Sequence, residues 1–152
     1  MLSFDSNVLV YARDLSDVRR AAVASDILRR APAVPSFLTQ QAIGEFCNVV
    51  RRKRLLDAAQ TRLQVEDWAG LYHIIPTAPD QLLQAVQLAE GRRKQFWDMV
   101  LVRVAADAGA TTLLTEDIGD GEIIAGVRIV DPFNSANARF VDELLTPSPG
   151  TA

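Results

Sequence analysis

Short apolar runs alternate with helical stripes along most of this chain. Leu2 to Phe4 is an apolar run that begins almost at the first residue, is broken by Asp5-Ser6-Asn7 and resumes in Val8-Leu9-Val10-Tyr11. That pattern predicts a strand, a loop and a helical turn. From Asp17 to Arg30, Val18, Ala21, Ala22, Ile27 and Leu28 recur at helical spacing, with Pro32 just beyond the basic end. A second short strand is predicted at Ala33 to Pro35. Thr39 to Arg52 carries Ile43, Phe46, Cys47 and Val50 on one stripe, and Asp57 to Leu71 is a further helix expected to turn Ala59, Leu63 and Trp68 inward.

His73 to Ile75 reads as a third strand, and Asp80 to Glu90 as a helix with Leu82, Leu83, Val86 and Ala89 apolar, stopped by Gly91. Trp97 to Ala108 is the most apolar helical stretch, with Gly109 placed to end it and the strand Thr111 to Leu114 following. The segment Thr115 to Gly121 has turn chemistry, and Val127 to Val130 is a last strand. Strands alternating with helices predict an α/β fold, a three-layer sandwich with a mainly parallel central sheet flanked by helices. A length of 152 residues fits one domain over 1–145, with a loose tail from 146 to 152.

Composition narrows the class without naming a chemistry. Hydrophobic residues make up 49% and charged residues 23%, as in ordinary globular domains. One cysteine, Cys47, cannot form an internal disulfide, and with a single histidine, His73, the ligands of a Cys/His zinc site are missing. A reducing, cytoplasmic setting is expected. No apolar run approaches the ~20 residues of a membrane span. The net charge of −3 means that any nucleic-acid contact must use local basic patches. The candidates are Arg51, Arg52 and Arg54, beside Lys53, and Arg92, Arg93 and Lys94.

Candidate chemistry lies in the acids. Ligands of open parallel sheets gather at the carboxyl ends of the strands, where Asp5 follows the first strand and Asp117 follows Thr111 to Leu114. Asp98 falls in the first turn of the apolar helix, and Glu45 sits at the border of an apolar stripe, beside Ala42 and Val49. Each acid also has an ordinary role: Asp5 as a helix cap, Asp117 in a turn, Asp98 against the helix dipole. Glu45 is the most informative, because a carboxylate at the edge of a core is costly unless paired, hydrogen-bonded or bound to a cation. Trp68 and Trp97, at helical spacing, are expected in the core rather than on a ligand.

In the order of the chain, Leu2 to Leu9, the helical Glu45, Phe96-Trp97-Asp98, Leu113 to Gly121 and the ending Gly126 to Phe133 resemble the PIN domain, and in particular bacterial VapC toxins. Asp131 stands where those toxins commonly have Asn before Pro-Phe. The resemblance implies a metal site of Asp5, Glu45, Asp98 and Asp117, with Ser6, Asn7, Thr115 and Asp120 around it. It implies Mg²⁺, with Mn²⁺ as a substitute, since hard cations take oxygen ligands. The implied activity is an endoribonuclease in which cation-activated water attacks an RNA phosphodiester in line, leaving 5′-phosphate and 3′-hydroxyl ends. The implied partners are RNA, a VapB-like antitoxin and a second copy of the chain; the apolar segments Leu38 to Phe46 and Leu55 to Trp68 are candidates for such interfaces, with most of their apolar residues first filling the core.

Other classes stay open on the residues alone. One is a housekeeping PIN nuclease without an antitoxin. Another is an inactive PIN module that binds RNA or protein, against which the intact set of acids argues. A third is an aspartyl phosphotransferase with Asp5 as nucleophile, for which Asn7 stands where a second acid is expected.

Overall fold

A computed structural model describes residues 1–92 and 95–147. The strands are β1 (Leu2–Phe4), β2 (Ser36–Thr39), β3 (His73–Ile75), β4 (Thr112–Leu114), β5 (Ile123–Ile124) and β6 (Val127–Val130). The helices are α1 (Ser6–Tyr11), α2 (Val18–Arg30), α3 (Gln40–Arg52), α4 (Ala58–Leu71), α5 (Pro79–Ala89), α6 (Phe96–Asp107) and α7 (Ala138–Leu144). The strands form one sheet in the order β3-β2-β1-β4-β6-β5. Every pairing is parallel except the last, where the short β5 runs against β6.

The sheet is buried on both faces, which explains why its strands read as continuous apolar runs rather than alternating ones. Neighbouring residues of a strand serve opposite layers. Leu38, Leu114 and Val130 join the cluster formed with α1, α2, α3 and Trp68 of α4, while Phe37, Leu113 and Ile129 join the cluster formed with α5 and α6. The result is the α/β three-layer sandwich expected from the pattern. α6 supplies Met99 to Val102, Val104 and Ala105 to the second layer and ends before Gly109, whose φ of 85° suits a residue without Cβ.

Several local expectations are corrected. The second strand lies at Ser36–Thr39, not at Ala33 to Pro35, where a turn of 3₁₀ helix at Ala31–Ala33 intervenes. In α4, Trp68 is buried, but Leu63 is 60% exposed and Ala59 is also outside; the inward neighbour is Gln64, one turn before Trp68, which accepts a hydrogen bond from Arg13. In α5, Leu83 and Val86 face solvent. Trp97 is 55% exposed rather than packed in the core. β5 and α7 are additional elements that the sequence pattern did not mark. Arg93, Lys94 and the tail from 148 lie outside the described residues.

Candidate active site

β1 has β2 on one side and β4 on the other, so the strand order reverses direction between β1 and β4. Such a switch point leaves a crevice beyond the carboxyl ends of the two strands, where ligands of open α/β sheets bind. The backbone joins the two ends directly, with the Asp5 N–H donating to the Leu114 carbonyl at 2.9 Å. Asp5 is the first residue past β1, and Thr115 is the first past β4.

Asp5 is buried at 5% exposure. Its Oδ1 accepts from the Ser6 N–H at 2.6 Å and caps α1, while its Oδ2 accepts from the Thr115 hydroxyl at 2.7 Å. The Asn7 side-chain amide fans out to three oxygens, reaching Asp5 Oδ2 at 3.4 Å, Thr115 Oγ1 at 3.2 Å and Asp117 Oδ2 at 3.2 Å. Asp117 is thus linked to Asp5 through one bridging amide, and its own N–H donates to Thr115 Oγ1 at 3.2 Å. Glu45 enters from α3: Ser6 Oγ donates to its Oε2 at 2.9 Å. On its other oxygen, Oε1 accepts from Gln41 Nε2, also at 2.9 Å.

Burial pushes the Asp5 carboxyl up to about 6. The hydrogen bonds from Thr115 and Ser6 work against this, and the negative charges of Glu45 and Asp117 add to it. A buried carboxylate with two further acids beside it makes this end of the sheet strongly acidic.

Asp98 lies in the first turn of α6, next to Trp97. The Trp97 carbonyl accepts from the same Gln41 Nε2 that holds Glu45, at 2.9 Å, so one amide ties α3 to the start of α6. Gln41 was not singled out by sequence, although its position one helical turn before Glu45 is the i, i+4 spacing at which side chains meet.

Asp120 points its hydrogen bonds to the C-terminal segment, accepting from the Asp131 N–H at 3.0 Å and from the Asn134 and Asn137 amides. Those donors hold its carboxyl below the ordinary range, against the effect of burial. Beside Asp117, Glu116 binds the Tyr11 hydroxyl at 2.8 Å and Arg20 at 3.1 Å, and Arg20 stacks over the Tyr11 ring. Arg51, Arg52, Arg54 and Arg92 are exposed.

The donor set suits a hard divalent cation in chemical kind, since Asp5, Glu45 and Asp117 offer only oxygen ligands and a buried carboxylate gains most from a counter-charge. Asn7 Oδ1 is, in addition, a buried oxygen with no hydrogen-bond donor among the described residues. As the side chains stand, Asn7 and Ser6 bridge the acids. Among the described residues no three His, Cys, Asp or Glu side chains are close enough to hold an ion.

Beside Glu45 a cavity of about 570 Å³ opens between α3 and α6, lined by Gln40, Gln41, Gly44, Thr77, Leu82 and Trp97. Among the described residues no helix is long and apolar enough to cross a membrane.

The PIN domain family matches residues 3–119, from β1 through the turn that carries Asp117. No curated protein gives a significant match to the sequence. Among solved structures, the chain is similar to Mycobacterium tuberculosis VapC20, described as a sarcin-ricin loop cleaving toxin. The identity is 17%, the TM-score 0.64, and the alignment covers 84% of this chain and 99% of that one. It is also similar to a chain of FitAB bound to a DNA fragment, at 19% identity and a TM-score of 0.58, covering 88% of this chain and 96% of the other. With the family match running across both strands of the switch point and all four acids between Asp5 and Asp117, the chain belongs to the PIN-domain family.

Proposed function

We propose that this protein is a metal-dependent endoribonuclease and the VapC-type toxin of a toxin–antitoxin pair, acting in the cytoplasm. The observation that carries the reading is the buried Asp5 at the switch point, linked to Asp117 through Asn7 and to Glu45 through Ser6. The likeness in fold to an RNA-cleaving VapC toxin supports RNA as substrate.

Asp5, Glu45, Asp98 and Asp117 would hold Mg²⁺, or Mn²⁺ in its place. The cation supplies positive charge for a phosphate oxygen and makes water a stronger acid. The protein's own part is to hold this charge-dense group in register. Thr115 fixes one oxygen of Asp5 and the Ser6 N–H fixes the other. Asn7 spaces Asp5 from Asp117, and Gln41 with Ser6 fixes both oxygens of Glu45. The reaction is hydrolysis of an RNA phosphodiester in which water attacks phosphorus and the 3′ oxygen leaves, giving 5′-phosphate and 3′-hydroxyl ends. Arg51, Arg52, Arg54 and Arg92 meet flanking phosphates, with Arg93 and Lys94 proposed on sequence alone. A VapB-like antitoxin covers the site, and the toxin pairs with a second copy of itself.

Purified protein incubated with mixed structured RNAs in Mg²⁺, Mn²⁺ or EDTA tests the activity. Cutting that needs the ion and disappears in Asp98→Asn supports it, while cutting that persists in EDTA contradicts it. Growth arrest on expression, relieved by the product of a neighbouring small gene, separates a toxin from a housekeeping PIN nuclease.

A further inference from the structure

Trp97 is large, apolar and more than half exposed, a costly arrangement that its place on α6 does not require. Its spacing fits the buried stripe of Val100, Leu101 and Val104, yet at the first turn of the helix the ring lines an open cavity instead of a packed layer. Phe96 meets it edge-on at a centroid distance of 5.4 Å, and its carbonyl is held by Gln41, so the ring stands on an anchored base.

The cavity shares Glu45 with the acidic site, and at about 570 Å³ it falls within the roughly 300–1,000 Å³ of small-molecule pockets. Its lining is mainly apolar with a few amides. Gln41 spends its Nε2 on two acceptors, Glu45 and the Trp97 carbonyl. The amide cannot be turned over without setting oxygen against oxygen at both contacts. Its Oε1 has no donor among the described residues and no accessible surface, so a molecule in the cavity meets the indole face rather than this oxygen.

We infer that this cavity is a nucleobase pocket, in which an unpaired base of the RNA next to the scissile phosphate stacks on Trp97. This inference rests on the ribonuclease reading of the adjoining acids and adds to it the group that selects where the chain is cut. A base supplies the flat π face that an exposed indole binds, and single-stranded RNA is generally held by such stacking. The sugar–phosphate backbone alone offers no such face.

Intrinsic fluorescence tests the pocket apart from cleavage. The full chain is titrated in EDTA with a short single-stranded oligoribonucleotide, and with an oligomer of the same length carrying one abasic position at each site in turn. Quenching by the complete oligomer that is absent in Trp97→Phe reports contact at Trp97, because Trp68 is buried against Phe46. Trp97→Ala is expected to weaken binding about 5- to 150-fold, and Trp97→Phe to retain most of it. One abasic position is expected to reproduce the alanine effect in wild type and to add nothing in Trp97→Ala.

In cleavage, Trp97→Ala is expected to raise KM much more than it lowers kcat. Unchanged RNA affinity in a folded Trp97→Ala variant that still cuts RNA would overturn the pocket and leave the nuclease reading intact. Base-dependent quenching without any cutting would do the reverse. Loss of binding to a protein partner in Trp97→Ala with RNA binding unaffected would also overturn the pocket, assigning the surface to protein.

Discussion

Asp5 is the residue on which the account turns, because burial and function pull its carboxyl in opposite directions. Its folded-state value of about 6 lies above the ordinary 3.8, so the folded chain holds this proton more tightly than the unfolded one. The stability contributed is present below about pH 4 and is lost as pH rises from about 4 through about 6. At neutral pH the metal-free protein thus carries a penalty of roughly 2–3 kcal/mol. Asp5→Asn keeps an oxygen for the Ser6 N–H and removes the charge. It should therefore raise Tm in EDTA at pH 7.5 by a few degrees, with a smaller gain at pH 5, measured by thermal melts. An equal gain at both pH values would show that charge is not the cause.

Thr115 belongs to the same argument, since its hydroxyl is the largest influence lowering the Asp5 value. Thr115→Val should move the low-pH limb of the activity profile upward, while Thr115→Ser leaves it in place. A purely structural Thr115 would lower activity without moving that limb.

At the scale of elements, hydrogen-bonded acids set the entry and exit of helices. α4 begins with a capping box in which Asp57 accepts from the Gln60 N–H at 2.8 Å and Gln60 returns a bond to the Asp57 N–H at 2.9 Å. Asp57→Ala should cost about 1 kcal/mol, read as a lowered denaturation midpoint with unchanged slope. The loop after α1 is tied to the end of α3 by Asp14, which accepts from Ser16 and from Lys53 Nζ at 2.9 Å. These bonds hold its carboxyl down at about 2. The sign is opposite to that of Asp5: the stabilisation is present above about pH 4 and disappears as pH falls toward about 2. Asp14→Asn should accordingly lose stability at neutral pH and show a shallower acid transition than wild type, measured by denaturation at a series of pH values.

Elements with a long periodic pattern were legible in the sequence, and short ones were not. α2, α3 and α6 carry apolar stripes over three turns, so their spans follow from spacing. β5 is only the pair Ile123–Ile124, too short for any alternation to register, and α7 offers Val141 as its one buried residue. The second strand lies later than the pattern predicts because Ala33 and Val34 resemble strand residues, while the strand itself starts past Pro35. The placement of Asp5 and Asp117 is legible because Asp5 directly follows one buried run and Asp117 lies three residues past another, and the sheet brings those two ends together. What a sequence does not show is which acids touch. Asn7 and Ser6 as bridges, and Gln41 as the tie between α3 and α6, depend on side-chain directions fixed only by the packed layers. Trp97 departs from the expected core position for a related reason, since helical spacing identifies a stripe but not whether a layer lies opposite it.

For the whole molecule, a negative net charge makes substrate binding depend on where its cations sit. Arg51 and Arg52 close α3, the helix that carries Glu45, Arg54 lies in the turn just past it, and all three are exposed. Arg51→Glu with Arg52→Glu should weaken RNA binding across unrelated sequences and flatten its dependence on salt by about one to two in slope. A loss confined to one sequence would assign these residues to base reading instead. This uniform electrostatic effect differs from that expected of Trp97, whose removal should act at one base position.

The most direct test of the central claim is the chemistry of the RNA ends made by purified protein. Wild type with Mg²⁺ or Mn²⁺ should produce 5′-phosphate and 3′-hydroxyl ends, and Asp5→Asn, folded and at the same concentration, should produce none. Ends bearing a 2′,3′-cyclic phosphate, or unchanged cutting by Asp5→Asn, would contradict a cation-dependent hydrolase built on these acids.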